Sequence, residues 1–195
     1  LSQKYKTKYF TFSDEAISPN AFNRMSKAIL KRGVEMRSLG MLKFESGDKE
    51  SPELFEDVYR AGFLMLFFGL ESANDRILSI IDKGCDQETE RSVLKNSSDA
   101  GIWNHLYLFF GFPTEEREEA EDTIQFTIEN SETGTGHIHS VGQSIFALEK
   151  DSAIYHNPAK FKIDRIIHDP DRDMAIVFDF DIKAGMPREE GMDVY

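Results

Sequence analysis

The sequence predicts an α/β fold assembled from parallel β/α units. Short apolar runs alternate with longer segments of helical period, and those helical segments open on capping residues and close on glycine. One apolar run, residues 63–68, is continuous enough to read as a strand covered on both faces. A length of 195 residues, with 40% hydrophobic side chains and 16 Phe, supplies the material for one sizeable core.

The first strand is residues 9–12. Ser18 then caps a helix whose first turn holds Pro19, and Phe22, Met25 and Ile29 recur on it at spacings of three and four until Gly33 ends it. A second strand begins at Val34 and ends at Arg37. Ser51 and Pro52 repeat the start signal, Leu54, Phe55, Val58 and Ala61 make an inward stripe, and Gly62 stops that helix before the run 63–68. A loop over 69–74, a short helix over 75–81 and a longer one over 87–100 follow, the last stopped by Gly101. Residues 105–110 form the fourth strand. Gly111, Phe112, Pro113 and Thr114 make a tight exit, and the acidic stretch 115–122 suits the positive end of a helix reaching about Asn130. Residues 139–146 complete the series. Beyond Glu149 the period is lost among Pro158, Pro170 and Pro187, leaving 174–182 as the one convincing strand. Residues 149–195 are therefore expected to form an irregular C-terminal extension on a first domain of residues 1–148.

Composition excludes several functions. With 23 basic against 35 acidic residues the net charge is −12, the wrong sign for a nucleic-acid partner. No apolar run approaches the ~20 residues of a membrane helix, and the first 12 residues lack a secretory core, so a soluble, cytoplasmic protein is expected. The single cysteine, Cys85, can make neither an internal disulfide nor a multi-cysteine metal site, and reads as an inert small side chain.

Five short motifs fall in order: Phe68, Gly69, Leu70, Glu71 and Ser72; Leu78; Lys83 and Gly84; Ala100, Gly101 and Ile102; and Phe110, Gly111, Phe112, Pro113, Thr114 and Glu115. Together they resemble the radical S-adenosylmethionine superfamily, especially the branch that often carries a cobalamin-binding domain. Phe12, Ser13, Asp14 and Glu15 are similar to the end of that branch's second barrel strand, and the resemblance covers about residues 8–148. It implies a partial, TIM-barrel-like (β/α) barrel of mostly parallel strands. It also implies a parent enzyme in which a 4Fe–4S cluster, held by a CxxxCxxC loop after the first strand, cleaves S-adenosylmethionine to a 5′-deoxyadenosyl radical, with cobalamin as a further cofactor. That loop is absent here. Matching by motif makes residues 9–12 the second strand, so the first strand and the cluster ligands are expected upstream, and this chain alone is expected to be inactive. The alternative is a cluster-less barrel kept as a binding or scaffolding module.

Glu71 follows a buried strand's carboxyl end, where α/β folds place ligands, and a carboxylate there can accept two ribose hydroxyls or else cap the next helix. Ser72 lies beside it. The resemblance gives Lys83, 12 residues on, to the methionyl carboxylate of S-adenosylmethionine, and Phe109 to its adenine; a solvated lysine and a core aromatic are the plainer alternatives. By alternation Tyr107 and Phe109 share a face, opposite Leu108 and Phe110. Glu71 and Phe109 are expected to converge at one barrel mouth. Asp14, Glu15, Arg37 and Tyr107 are candidates for the side facing a small-molecule substrate. His137 and His139 have strand spacing but no third metal ligand, and Asp169, Asp171 and Asp173 resemble a calcium loop that Met174 and Phe180 break. With its neighbour missing, the strand at residues 9–12 should present an open edge that invites self-association.

Overall fold

The computed structural model describes residues 1–14, 16–45, 51–169, 171–172 and 174–194. Two compact units emerge, Leu1–Leu108 with Ile124–Gly142, and Phe109–Thr123 with Gln143–Tyr195. Packing thus divides the chain elsewhere than the change of period after Glu149. The turn at 111–115 is tied to the C-terminal segment, because Thr114 N donates to Ala184 O at 3.2 Å and Met186 N to Glu115 O at 2.6 Å.

After a short helix α1 (Ser2–Tyr5), the chain alternates β1 (Tyr9–Thr11), α2 (Pro19–Arg32), β2 (Arg37–Met41), α3 (Pro52–Arg60) and β3 (Phe63–Glu71). It continues with α4 (Asp75–Ile80), α5 (Gln87–Asp99), β4 (Trp103–Phe110), α6 (Arg117–Asn130) and β5 (Ser140–Ile145). The five strands form one parallel sheet in sequence order, a partial β/α barrel with β1 as an end strand. Local chemistry sets the helix limits. Ser18 Oγ accepts from Ala21 N at 3.4 Å, Gly33 takes φ 60° to close α2, and Asn74 and Asp86 cap α4 and α5 through the free amides of their first turns.

Leu66, Phe68 and Leu70 of β3 are fully buried with Phe22, Phe55 and Ile77 in the core of the first unit. The run 63–68 is not covered on both faces as its composition suggests, since Met65 and Phe67 stay partly exposed and Leu64 is 39% exposed. The second strand also starts later than expected. Residues 34–36 complete the exit from α2, with Val34 N donating to Ile29 O, and the ladder to β1 opens only when Arg37 N donates to Lys8 O at 2.7 Å. Arg37 therefore begins β2 instead of ending it.

The second unit is less irregular than its prolines suggest. It contains β6 (Leu148–Glu149), α7 (Ala153–His156), β7 (Ile163–Ile167), β8 (Val177–Ile182) and α8 (Arg188–Val194), and its three strands pair antiparallel in the order β6-β8-β7. Phe112 meets the edges of Phe146 and Phe161, and Phe146 that of Phe180, at centroid distances of 5.1, 6.1 and 5.8 Å. Among the described residues no helix is long and apolar enough to cross a membrane.

Candidate functional site

At the carboxyl end of β3 the backbone breaks its register. Gly69 pairs with Tyr107 and Glu71 with Leu108, so Leu70 is bulged out of the ladder, and Glu71 takes φ 68°. A side chain pays for that left-handed conformation, and such strain gathers where a side chain must be aimed. Here it turns the Glu71 carboxylate back over Gly69, whose missing Cβ is the space that Oε1 occupies.

Lys83 reaches the same carboxylate, donating from Nζ to Oε1 at 3.2 Å. The exit from α4 brings it there: Lys83 N donates to Leu78 O at 3.0 Å, and Asp82 and Gly84 on either side take φ 56° and 79°. Both side chains remain partly accessible, 30% for Glu71 and 17% for Lys83, so a ligand can reach the pair. A cleft of about 410 Å³ adjoins it, lined by Asp75, Leu78, Lys83 and Cys85 among others. Ser72 does not join them on the open side. It is fully buried, and its Oγ accepts from Asn74 N at 3.1 Å, tying it to the turn into α4.

Behind Lys83 lies an acid that reading the sequence for motifs passes over. Glu90 is fully buried on α5, in contact with Cys85 Sγ at 3.9 Å, and its Oε2 has no hydrogen-bond partner among the described residues. Burial pushes its pKa up to about 9, against the pull of Lys83 and with the help of Asp75 and Asp86. Its helical phase with Val93, Leu94 and Ser97, all buried, is the signal that could have found it.

The remaining candidates stand in different settings. Tyr107 is 40% exposed and lies near-parallel to the Phe67 ring, at 6.0 Å and 17°. Phe109, within the second unit, stacks on Phe112 at 5.8 Å and meets the edge of Phe146 at 5.7 Å. Burial alternates along β4 so that Leu108 and Phe110 are buried and Tyr107 and Phe109 are not, as strand geometry requires. Asp14 is exposed beyond β1, while Glu15 lies outside the described residues. Arg37, at the amino end of β2, is at the opposite end of the strands from Glu71, and its Nη1 donates to Met36 O at 3.1 Å.

His137 and His139 precede β5 and are not on a strand. His139 Nδ1 accepts from Asn104 N at 3.0 Å, and burial lowers the pKa of both imidazoles. Asp169 accepts from Asp171 N at 3.0 Å, and Pro170 and Asp173 lie outside the described residues. Among the described residues no three His, Cys, Asp or Glu side chains group as a metal site. With one cysteine in the chain, the residues present do not fit an iron–sulfur cluster.

No family model matches the chain. An uncharacterized methyltransferase of Pyrococcus horikoshii is 27% identical over 128 residues, 65% of this chain and 27% of that protein. The bacteriochlorophyllide d C-12(1)-methyltransferase of Chlorobaculum tepidum is 27% identical over 124 residues, 62% of this chain and 26% of that protein. The chain thus spans about a quarter of the length of these relatives. Among solved structures, the cobalamin-dependent S-adenosylmethionine radical enzyme OxsB with aqua-cobalamin bound superposes with a TM-score of 0.54 at 15% identity, over 64% of this chain and 20% of that one. The radical S-adenosylmethionine methyltransferase TsrM of Kitasatospora setae gives 0.51 at 15%, over 68% and 23%. The coproporphyrinogen III oxidase HemN of Escherichia coli, a radical SAM enzyme, gives 0.54 at 12%, over 82% and 37%. By fold, the chain is a partial β/α barrel of the kind that these solved structures contain.

Proposed function

We propose that this chain supplies S-adenosylmethionine-binding residues to a radical S-adenosylmethionine enzyme of the methyl-transferring type, acting on a small-molecule substrate. The Glu71–Lys83 pair at the carboxyl end of β3 carries the reading, because it holds an acceptor for ribose hydroxyls beside a cation for a carboxylate, both within reach of solvent. Glu71 accepts the two hydroxyls, and Lys83 exchanges its hold on Glu71 for the methionyl carboxylate. Phe109 takes the adenine side by resemblance alone. Relatives named as methyltransferases support the reaction class. The ligands of a 4Fe–4S cluster, and any cobalamin site, belong to residues outside this chain.

Calorimetric titration of the chain with adenosine and with S-adenosylmethionine tests the assignment. Glu71→Ala should weaken both by about 1.5–3 kcal/mol, the range for hydrogen bonds to a charged group, whereas Lys83→Met should weaken only S-adenosylmethionine. Unaltered adenosine affinity in Glu71→Ala would remove the ribose role. The single cysteine favours a second reading, a cluster-less barrel serving as a binding module. Three cysteines in CxxxCxxC spacing elsewhere in the same gene product would exclude it.

A further inference from the structure

Next to the Glu71 carboxylate, the face of the sheet turned away from the helices carries a group of rings. Register places Met41, Phe67 and His105 in one row across β2, β3 and β4, and Tyr107 in the next, opposite Gly69. Phe67 and Tyr107 lie near-parallel, while the His105 imidazole stands edge-on to both, at 69° and 72° with centroids 5.3 and 4.7 Å away. The three rings make a corner. Gly142 on β5 leaves it open, because a side chain there would come within 3.1 Å of His105 Nε2 and 3.2 Å of the Tyr107 ring.

His105 Nδ1 is engaged with Ser140 Oγ at 2.7 Å, so Nε2, on the Gly142 side, is the nitrogen that can meet a ligand. Burial lowers the His105 pKa, favouring the neutral imidazole. In a chain of net charge −12, this corner and its neighbour Met41 contribute no charged side chain. The Glu71 carboxylate lies over Gly69, directly across from Tyr107, so the corner is continuous with the Glu71–Lys83 pair.

We propose that this corner is a substrate subsite for an uncharged planar ring system, laid against Phe67 and Tyr107 with a hydrogen-bonding edge at His105 Nε2. Stacked rings favour a flat aromatic ligand over an aliphatic one, and an anion is disfavoured because the corner has no cation of its own to offset its desolvation and Lys83 beside it is paired with Glu71. The identity of the occupant as a substrate rests on Glu71 and Lys83 holding the cofactor; the binding itself does not.

The probe is indole, titrated into the full chain by ligand-observed NMR beside its anionic relative indole-3-acetate. Indole should bind saturably and indole-3-acetate more weakly, and Tyr107→Ala should weaken indole about tenfold, the scale of one lost aromatic stack. Gly142→Val should close the corner and abolish binding; if it fails to fold, Tyr107→Ala, at a part-exposed position, still decides. No indole binding, equal binding to wild type and Tyr107→Ala, or indole-3-acetate bound as well as indole would overturn the proposal. Adenosine titrated in parallel separates the two readings. Adenosine insensitive to Glu71→Ala with indole still dependent on Tyr107 removes the cofactor reading and keeps the ring site, and the converse removes the ring site alone.

Discussion

Lys83 Nζ donates to Glu71 Oε1 at 3.2 Å, across 12 residues of sequence and over the empty side-chain position of Gly69. Gly69→Ala should therefore dislodge the carboxylate without altering Glu71 itself. The obstructed atom is the end of a flexible side chain, so the fold should survive with a stability change within about 1 kcal/mol, the usual worth of an accessible ion pair. Adenosine affinity should fall nonetheless. Thermal unfolding and calorimetry on the same sample check both halves, and full adenosine affinity would show that the carboxylate's position is immaterial.

The backbone at Glu71, with φ 68°, separates two truncations that remove the same carboxylate. Glu71→Gly relieves the left-handed strain and Glu71→Ala keeps it, so the glycine variant should be the more stable by about 1 kcal/mol in urea unfolding. Equal midpoints would mean that the turn relaxes once the side chain is gone.

Glu90 makes stability depend on pH. Its folded pKa, raised to about 9, lies above the ordinary 4.5, so the folded chain holds a proton that the unfolded chain has lost anywhere between those values. Its contribution is fully present below pH 4.5 and is lost as pH rises towards 9, at most about 1.4 kcal/mol per pH unit. Glu90→Gln should flatten the decline in unfolding free energy between pH 5 and 8 measured by denaturant titration. Parallel curves for the two proteins would place the titration elsewhere.

Gly185 takes φ 99°, and a Cβ there would lie 2.7 to 2.8 Å from the backbone of Thr114. Backbone cannot give way as a flexible side-chain end can, so Gly185→Ala should destabilise the second unit by roughly 1–3 kcal/mol. Hydrogen exchange should quicken in β7 and β8 while α3 and β3 keep their protection. Uniform quickening would show that the two units unfold together.

The outer edge of β1 should mediate self-association. Phe12 N is spent on Leu39 O, so alternation turns the Thr11 amide away from β2, and an apolar groove of about 900 Å³, which includes Phe10, Phe12, Met25 and Ile29, runs beside it. Sedimentation at rising concentration should reveal reversible dimers, and Thr11→Pro should suppress them. Dimers indifferent to that substitution would point to another surface.

The sequence by itself determines the alternation of strands and helices and most helix limits. Ser18 with Pro19, Gly33 and Asn74 act within a turn or so of where they stand, so their effects are local and legible. The end of a buried strand likewise marks Glu71 as a candidate, and the resemblance carried by the motif order adds Lys83. Only the tertiary structure decides that these two side chains meet, since this depends on a bulge relative to β4 and on two left-handed residues around Lys83. The same holds for Arg37, whose end of the strand is set by where the ladder to β1 begins, and for Glu90, which is made a buried acid by neighbours on other elements. The antiparallel sheet of the second unit hides among prolines for a related reason: β6 is two residues long, too short for a period, and exists through its pairing with β8. Caps and periods are energies of neighbours in sequence; register, burial and the partner of a charge are energies of neighbours in space, which no local pattern contains.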